Sequence, residues 1–138
     1  MKTRLDPVVR FRETKEQRAL EGLAKATDLA TQASSVLDVA RARASEDGRG
    51  RGDASEWMMV EVARERALGD VKRATELVRK STSAVEIARE AWRLEHRQTE
   101  VVRRVADARR EEARVERSRR DTRELDELGS MMFVRKRA

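Results

Sequence analysis

DVKRATELVRKSTSAVEIAREAWRLEHRQTEVVRRVADARREEARVERSRRDTRELDEL, residues 70–128, runs for 59 residues without proline or glycine, between Gly69 and Gly129. At 1.5 Å rise per residue an uninterrupted helix of this length is about 88 Å long, more than a globular domain of this size can enclose. Its apolar residues follow a coiled-coil register: Ala67, Val71, Ala74, Val78, Ser81, Val85, Ala88, Trp92, Glu95, Thr99, Val102, Ala106, Arg109 and Ala113 are spaced alternately four and three apart. A repeat of 3.5 residues held this long calls for a partner helix wound left-handed along the seam. Glu95 and Thr99 interrupt the apolar content, Trp92 is its bulkiest member, and beyond Val105 and Ala106 little apolar remains. Between Arg109 and Glu124, 12 of 16 residues are charged.

The partner lies earlier in the chain. Asp6 reads as the cap of a helix with Pro7 at its first position, because the N–H that proline lacks has no partner in the first turn. From there the seam runs Leu5, Val9, Arg12, Glu16, Ala19, Leu23, Ala26, Ala30, Ala33, Leu37, Ala40 and Ala44, and Leu20, Leu29 and Val36 widen it. Alanine at so many seam positions lets two backbones approach closely but buries little area per turn, so the pairing is expected to be marginally stable. Gly22 costs this helix roughly 1 kcal/mol relative to alanine and does not break it.

Between the two stretches, Gly48, Gly50 and Gly52 mark a connection. The Gly48–Gly52 run also reads as a nucleic-acid segment of Arg-Gly type, but one copy among Glu46, Asp47 and Asp53 favours a plain loop. Asp53 and Glu56 form a capping-box-like start, with Ser55 as a rival cap. Trp57, Met58, Met59, Val60, Val62 and Ala63 follow, the most apolar cluster in the chain, read either as a plug closing the turn or as an exposed patch for a partner. The plug is the favoured reading. Two successive steps of four, Val60 to Ala63 to Ala67 to Val71 being the local series, coincide with Leu68-Gly69-Asp70. They predict a break there, with a seamless helix as the rival.

The expected architecture is therefore all-α: an antiparallel two-stranded coiled-coil hairpin with a short helix near the turn and an overhanging C-terminal helix. Its expected parts, in one elongated unit over 1–138, are a helix at 6–44, a loop at 45–55, a short helix at 56–68, a long helix at 70–128 and a basic tail at 129–138. With residue 44 beside 70 and residue 5 beside 109, the long helix overhangs by roughly 20 residues, about 30 Å. The loss of apolar seam content after Arg109 places the overhang at the same point.

With 3% aromatic and 42% charged residues, the chain is poor material for a globular core. The absence of cysteine excludes disulfides, thiol nucleophiles and Cys-ligated zinc. No apolar run approaches the length of a membrane span, so a cytoplasmic location is expected. The net charge of +6 is confined to the ends: Lys2, Arg4, Arg10 and Arg12 outweigh Asp6 at one, and Arg135, Lys136 and Arg137 stand at the other. His96 is the sole histidine and reads as a surface helix residue, the carboxylates have basic residues at helical spacing, and no catalytic, metal or cofactor constellation emerges. An enzyme is not expected. Met131, Met132 and Phe133, beyond Gly129, are left as either a binding segment or a disordered one.

Residues 4–19, RLDPVVRFRETKEQRA, resemble the opening of the flagellar export protein FliJ family: an apolar-proline-apolar start, the basic pair Arg10 and Arg12, then Glu16 and Ala19. The family's closing pattern, a basic residue three before Asp-Glu and then a basic tail, is similar to Arg123, Asp126, Glu127, Arg135 and Lys136. The resemblance implies a cytoplasmic coiled coil, similar to the central stalk of rotary ATPases, that is peripherally associated with the inner-membrane export apparatus. It further implies that the coiled coil sits in the hexameric export ATPase, promotes ring assembly, links the ring to the membrane export gate and escorts export chaperones. The virulence-type secretion stalk shares these motifs. The residues it points to for the ATPase ring are Arg4, Arg10, Arg12, Arg123, Asp126, Glu127, Arg135 and Lys136. Trp57, Met58 and Met59 are expected to serve the gate or another partner on their apolar character alone. The isolated protein is expected to be a monomer without cofactors. The rival readings are a basic coiled coil for nucleic acid, which the lack of interleaved aromatics and of a continuous basic face disfavours, and a structural homodimer.

Overall fold

Asp6 does not cap the first helix. In the computed structural model, which describes residues 3–46 and 52–138, α1 (Asp6–Ser45) opens with a hydrogen bond of 2.9 Å from the Val9 N–H to the Leu5 carbonyl. Asp6 thus lies in the first turn, and its carboxylate reaches back to Thr3, accepting from the backbone N–H at 3.0 Å and from the hydroxyl at 2.8 Å. Pro7 still falls where no intrahelical donor is needed.

The second helix, α2 (Ala54–Arg137), starts as its sequence indicates. Asp53 accepts from the Glu56 N–H at 2.9 Å, and Glu56 accepts in return from the Asp53 N–H at 3.1 Å, so two N–H groups without helical partners are satisfied reciprocally. Gly52 permits this closure, because a Cβ there would collide with the Glu56 carboxylate. Of the expected loop at 45–55, residues 47–51, and with them all of the Arg-Gly run but Gly52, lie outside the described residues, while Ser45, Ala54 and Ser55 belong to the helices.

Two expectations about α2 are overturned. The helix is continuous over 84 residues, passing through Gly69 without a break and through Gly129 to Arg137, so neither a separate helix at 56–68 nor a non-helical tail at 129–138 is present. None of the described glycines adopts a positive φ, and a glycine in ordinary helical geometry costs only about 1 kcal/mol. Spacing alone reads such a residue as a stop; one further turn of intact hydrogen bonds on either side outweighs it. Asp70 and Arg73, paired on the surface directly after Gly69, add local support.

The two long helices pack against each other, and their contacts fall into two compact units rather than one: Met1–Lys15 with His96–Ala138, and Glu16–Glu95. In the second unit the core is Leu37, Ala40 and Ala74, flanked by Val71 and Val78, with Ala33 also buried. In the first, Asp6 meets Arg110 and Glu13 meets Arg103, so residue numbers rise on one helix as they fall on the other and the pairing is antiparallel.

Coverage follows the seam closely. Every seam position on α1 is buried or half-buried, and so is every one on α2 from Ala67 to Ala113 except Arg109. Thr99 does not interrupt the packing: it is fully buried, and its hydroxyl donates to the Arg12 carbonyl at 3.3 Å, which satisfies a polar group placed in the seam. From Arg114 to Ala138 every residue is exposed.

Candidate functional site

Exposure separates the residues singled out for the ATPase ring into two groups. Arg4, Arg10, Arg123, Asp126, Glu127, Arg135 and Lys136 are all exposed and available to a partner. Arg12 is not: it is half-buried at the seam, its guanidinium donates to the Gln98 side chain, and its carbonyl receives the Thr99 hydroxyl. Its place is therefore within the helix pair. Arg123 and Glu127 continue the alternating register beyond Ala113, through Glu116 and Arg120, so the seam face of α2 carries on as a charged, uncovered surface. Asp126 neighbours that face, whereas Arg135 and Lys136 point to other sides of the same helix.

The apolar cluster near the start of α2 is not a plug. Met58 and Met59 are each 71% exposed and Trp57 is 45% exposed; between Gly52 and Arg66 only Val60 is half-buried. The buried residues of α1 end at Ala40, so no described part of α1 reaches far enough to cover them. Of the two readings, the exposed patch is the one observed.

The two edges of the first unit differ in chemistry. Along one, the residues that follow seam positions meet as ion pairs: Arg110 to Asp6 at 2.8 Å and Arg103 to Glu13 at 3.0 Å, with Glu100 a second partner of Arg103 at 2.9 Å. Hydrogen bonds from Thr3 and then from Arg110 hold the Asp6 carboxyl down at a pKa of about 2. Glu13, followed by Glu100, pushes the Arg103 guanidinium further above its ordinary value. Along the other edge, the residues that precede seam positions are apolar and exposed: Val8 and Phe11 on α1, Val101 and Val105 on α2. The corresponding edge in the second unit is a shallow apolar groove between Val36, Val39 and Leu77, bordered by Arg43, Asp70 and Arg73.

The α2 side of this edge went unrecognised in the sequence, although a signal for it exists. Ile87, Leu94, Val101, Ala108 and Val115 recur at intervals of seven, a second apolar stripe one residue behind the first.

Among the described residues no three or more His, Asp or Glu side chains converge as a metal site, and no helix is long and apolar enough to cross a membrane. His96 is half-buried and engaged within the fold. The surfaces of this chain offer charge, apolar stripes and length, which suit protein contacts.

A protein-family model described as flagellar FliJ protein matches the chain over residues 1–138. No curated protein and no solved structure matches it.

Proposed function

The chain belongs to the FliJ family, components of the flagellar export apparatus, and from that premise we propose that it is a non-enzymatic stalk whose exposed α2 extension enters the ring of the export ATPase. The observation that carries this reading is the segment Arg114–Arg137: helical throughout, exposed at every residue, and bearing Arg123, Asp126 and Glu127 on or beside a charged continuation of the seam. A helix that leaves its partner yet keeps its register offers a slender, charged surface to subunits surrounding it. In this reading the protein works in the cytoplasm as a hairpin monomer, promotes ring assembly and couples the ring to the export gate, with Trp57, Met58 and Met59 as the surface free for the gate or another partner. Escort of export chaperones belongs to the same proposal.

The experiment is stimulation of the partner ATPase. Arg10, Arg135 and Lys136 are exposed and lie off the seam, so replacing all three by glutamate leaves helicity intact; Arg12 is spared because it bonds within the helix pair. Stimulation by this variant falls severalfold or more at about 0.1 M salt, where charges are screened over about 10 Å, and the wild-type effect itself shrinks as salt rises. A variant with Arg89→Glu and Arg93→Glu, whose ion pairs with Glu86 and Glu90 are exposed, retains stimulation. The opposite pattern, full stimulation by the end variant and none by the mid-helix variant, rules out insertion by the ends.

A further inference from the structure

The open edge of the first unit has the layout of a helix-docking groove. On α2, Val101, Val105, Ala108 and Val115 continue a heptad spacing of their own, displaced by one residue from the seam that α1 covers. Opposite them on α1 stand Val8 and Phe11. All six are exposed, Val101 and Phe11 by 60% and 56%. In an antiparallel pair the residues preceding seam positions on both helices face the same edge, so the two stripes line one trough. Its companion edge is closed by the Asp6–Arg110 and Glu13–Arg103 pairs, which directs any third helix to the apolar side. The exposed positions Val101, Ala108 and Val115, spaced by seven with Val105 beside them and interrupted by Glu112, match an occupant with the same repeat, which means a helix lying along α2.

The rim states the charge of that occupant. Arg4, in the turn before α1, and Lys15 on α1 flank Val8 and Phe11, with Lys15 sitting over the Phe11 ring at 5.0 Å, and Arg97 and Arg104 border the α2 stripe. All four are exposed, and none forms an ion pair among the described residues. Their neighbours differ: Arg103, Arg110 and Arg114 each hold a carboxylate. Carboxylates that do lie near the trough are engaged, Glu112 by Arg109 at 3.3 Å and Glu111 by Arg114 at 2.6 Å. Unpaired cations on both banks of an apolar floor select anionic flanks and oppose a second copy of this chain, which would bring the same cations face to face.

We propose that this groove binds a partner's amphipathic helix whose heptad-spaced apolar stripe is flanked by aspartate or glutamate, making a three-helix coiled coil with α1 and α2. The site stands on the first unit alone and is independent of insertion into a ring. The test uses the full chain and two designed peptides about three heptads long, both with leucine at the seam positions, one flanked by glutamate and one by lysine. Binding is read by fluorescence anisotropy at about 0.1 M salt. The glutamate peptide binds at least about tenfold more tightly than the lysine peptide, and its advantage fades toward roughly 1 M salt. Val101→Ser with Val105→Ser, and separately Phe11→Ser, each weaken it about tenfold while the circular dichroism spectrum is unchanged, since these side chains are exposed and lie outside the buried core. No binding, equal binding of the two peptides, or unchanged affinity in both variants overturns the proposal. A dimer of the protein alone that the valine variant dissolves also overturns it, by assigning the groove to a second copy.

Discussion

Asp6 ties two parts of the first unit together. Its carboxylate accepts from Thr3, in the segment before α1, and from Arg110 of α2, and these bonds to the charged form depress its pKa from an ordinary 3.8 to about 2. A depressed carboxylate contributes stability that is complete above the unfolded-state value and disappears as pH falls through the folded one. Asp6→Asn therefore lowers the melting temperature by a constant amount from neutral pH down to about pH 5, and the difference closes between about pH 4 and pH 2. Thermal melts followed by circular dichroism check this, and a gap that persists at the lowest pH means the pairs to Thr3 and Arg110 are not its source. Arg12 and Thr99 carry the same lesson about single residues. Both look like interruptions of an apolar repeat, yet each bonds across the helix pair and leaves the packing closed.

At the scale of the element, α2 persists where local punctuation favours a stop. Added Cβ atoms at Gly69 and Gly129 find room: the first meets the Arg73 guanidinium at an ordinary 3.5 Å and the second meets nothing. Alanine should therefore stabilise each site by about 1 kcal/mol. Gly69→Ala raises the melting temperature. Gly129→Ala slows amide exchange across residues 125–137 by roughly fivefold, the ratio that 1 kcal/mol produces. A melting temperature lowered by Gly69→Ala shows instead that the helix bends there in solution and needs glycine. The register of α2 was legible because heptad spacing is a property of the residues themselves. Its continuity was not, since a glycine's cost of about 1 kcal/mol is small beside the cooperativity of a long helix, and sequence spacing does not weigh one against the other.

On the scale of the whole molecule the two units are held by different forces. The second unit has an apolar core at Leu37, Ala40 and Ala74, and the first has Thr99 and Ala106 fully buried between ion pairs. Screening at roughly 1 M salt shortens the Debye length to about 3 Å, which weakens exposed pairs and strengthens effective burial of apolar groups. Amide exchange over residues 6–15 accordingly quickens at high salt, whereas exchange over residues 33–40 stays level or slows. Equal responses in the two segments contradict this division of forces.

The amino-acid order by itself determined the helical class, the two seams, the capping box at Asp53 and Glu56, and the point beyond which α2 goes uncovered. Each is local or periodic, fixed by spacing along one chain and by where apolar content runs out. Only the tertiary structure decided which exposed-looking residues are free. Arg10 and Arg12 sit two apart and share a charge, but one faces solvent and the other bonds to Gln98, because the second helix approaches from one side alone. Met58 and Met59 are bare because no described part of α1 reaches them. The same one-sided approach closed one edge of the first unit with ion pairs. It left Val8, Phe11, Val101 and Val105 open along the other edge, since a single partner helix covers one face of α2 while the sequence supplies apolar residues for nearly two.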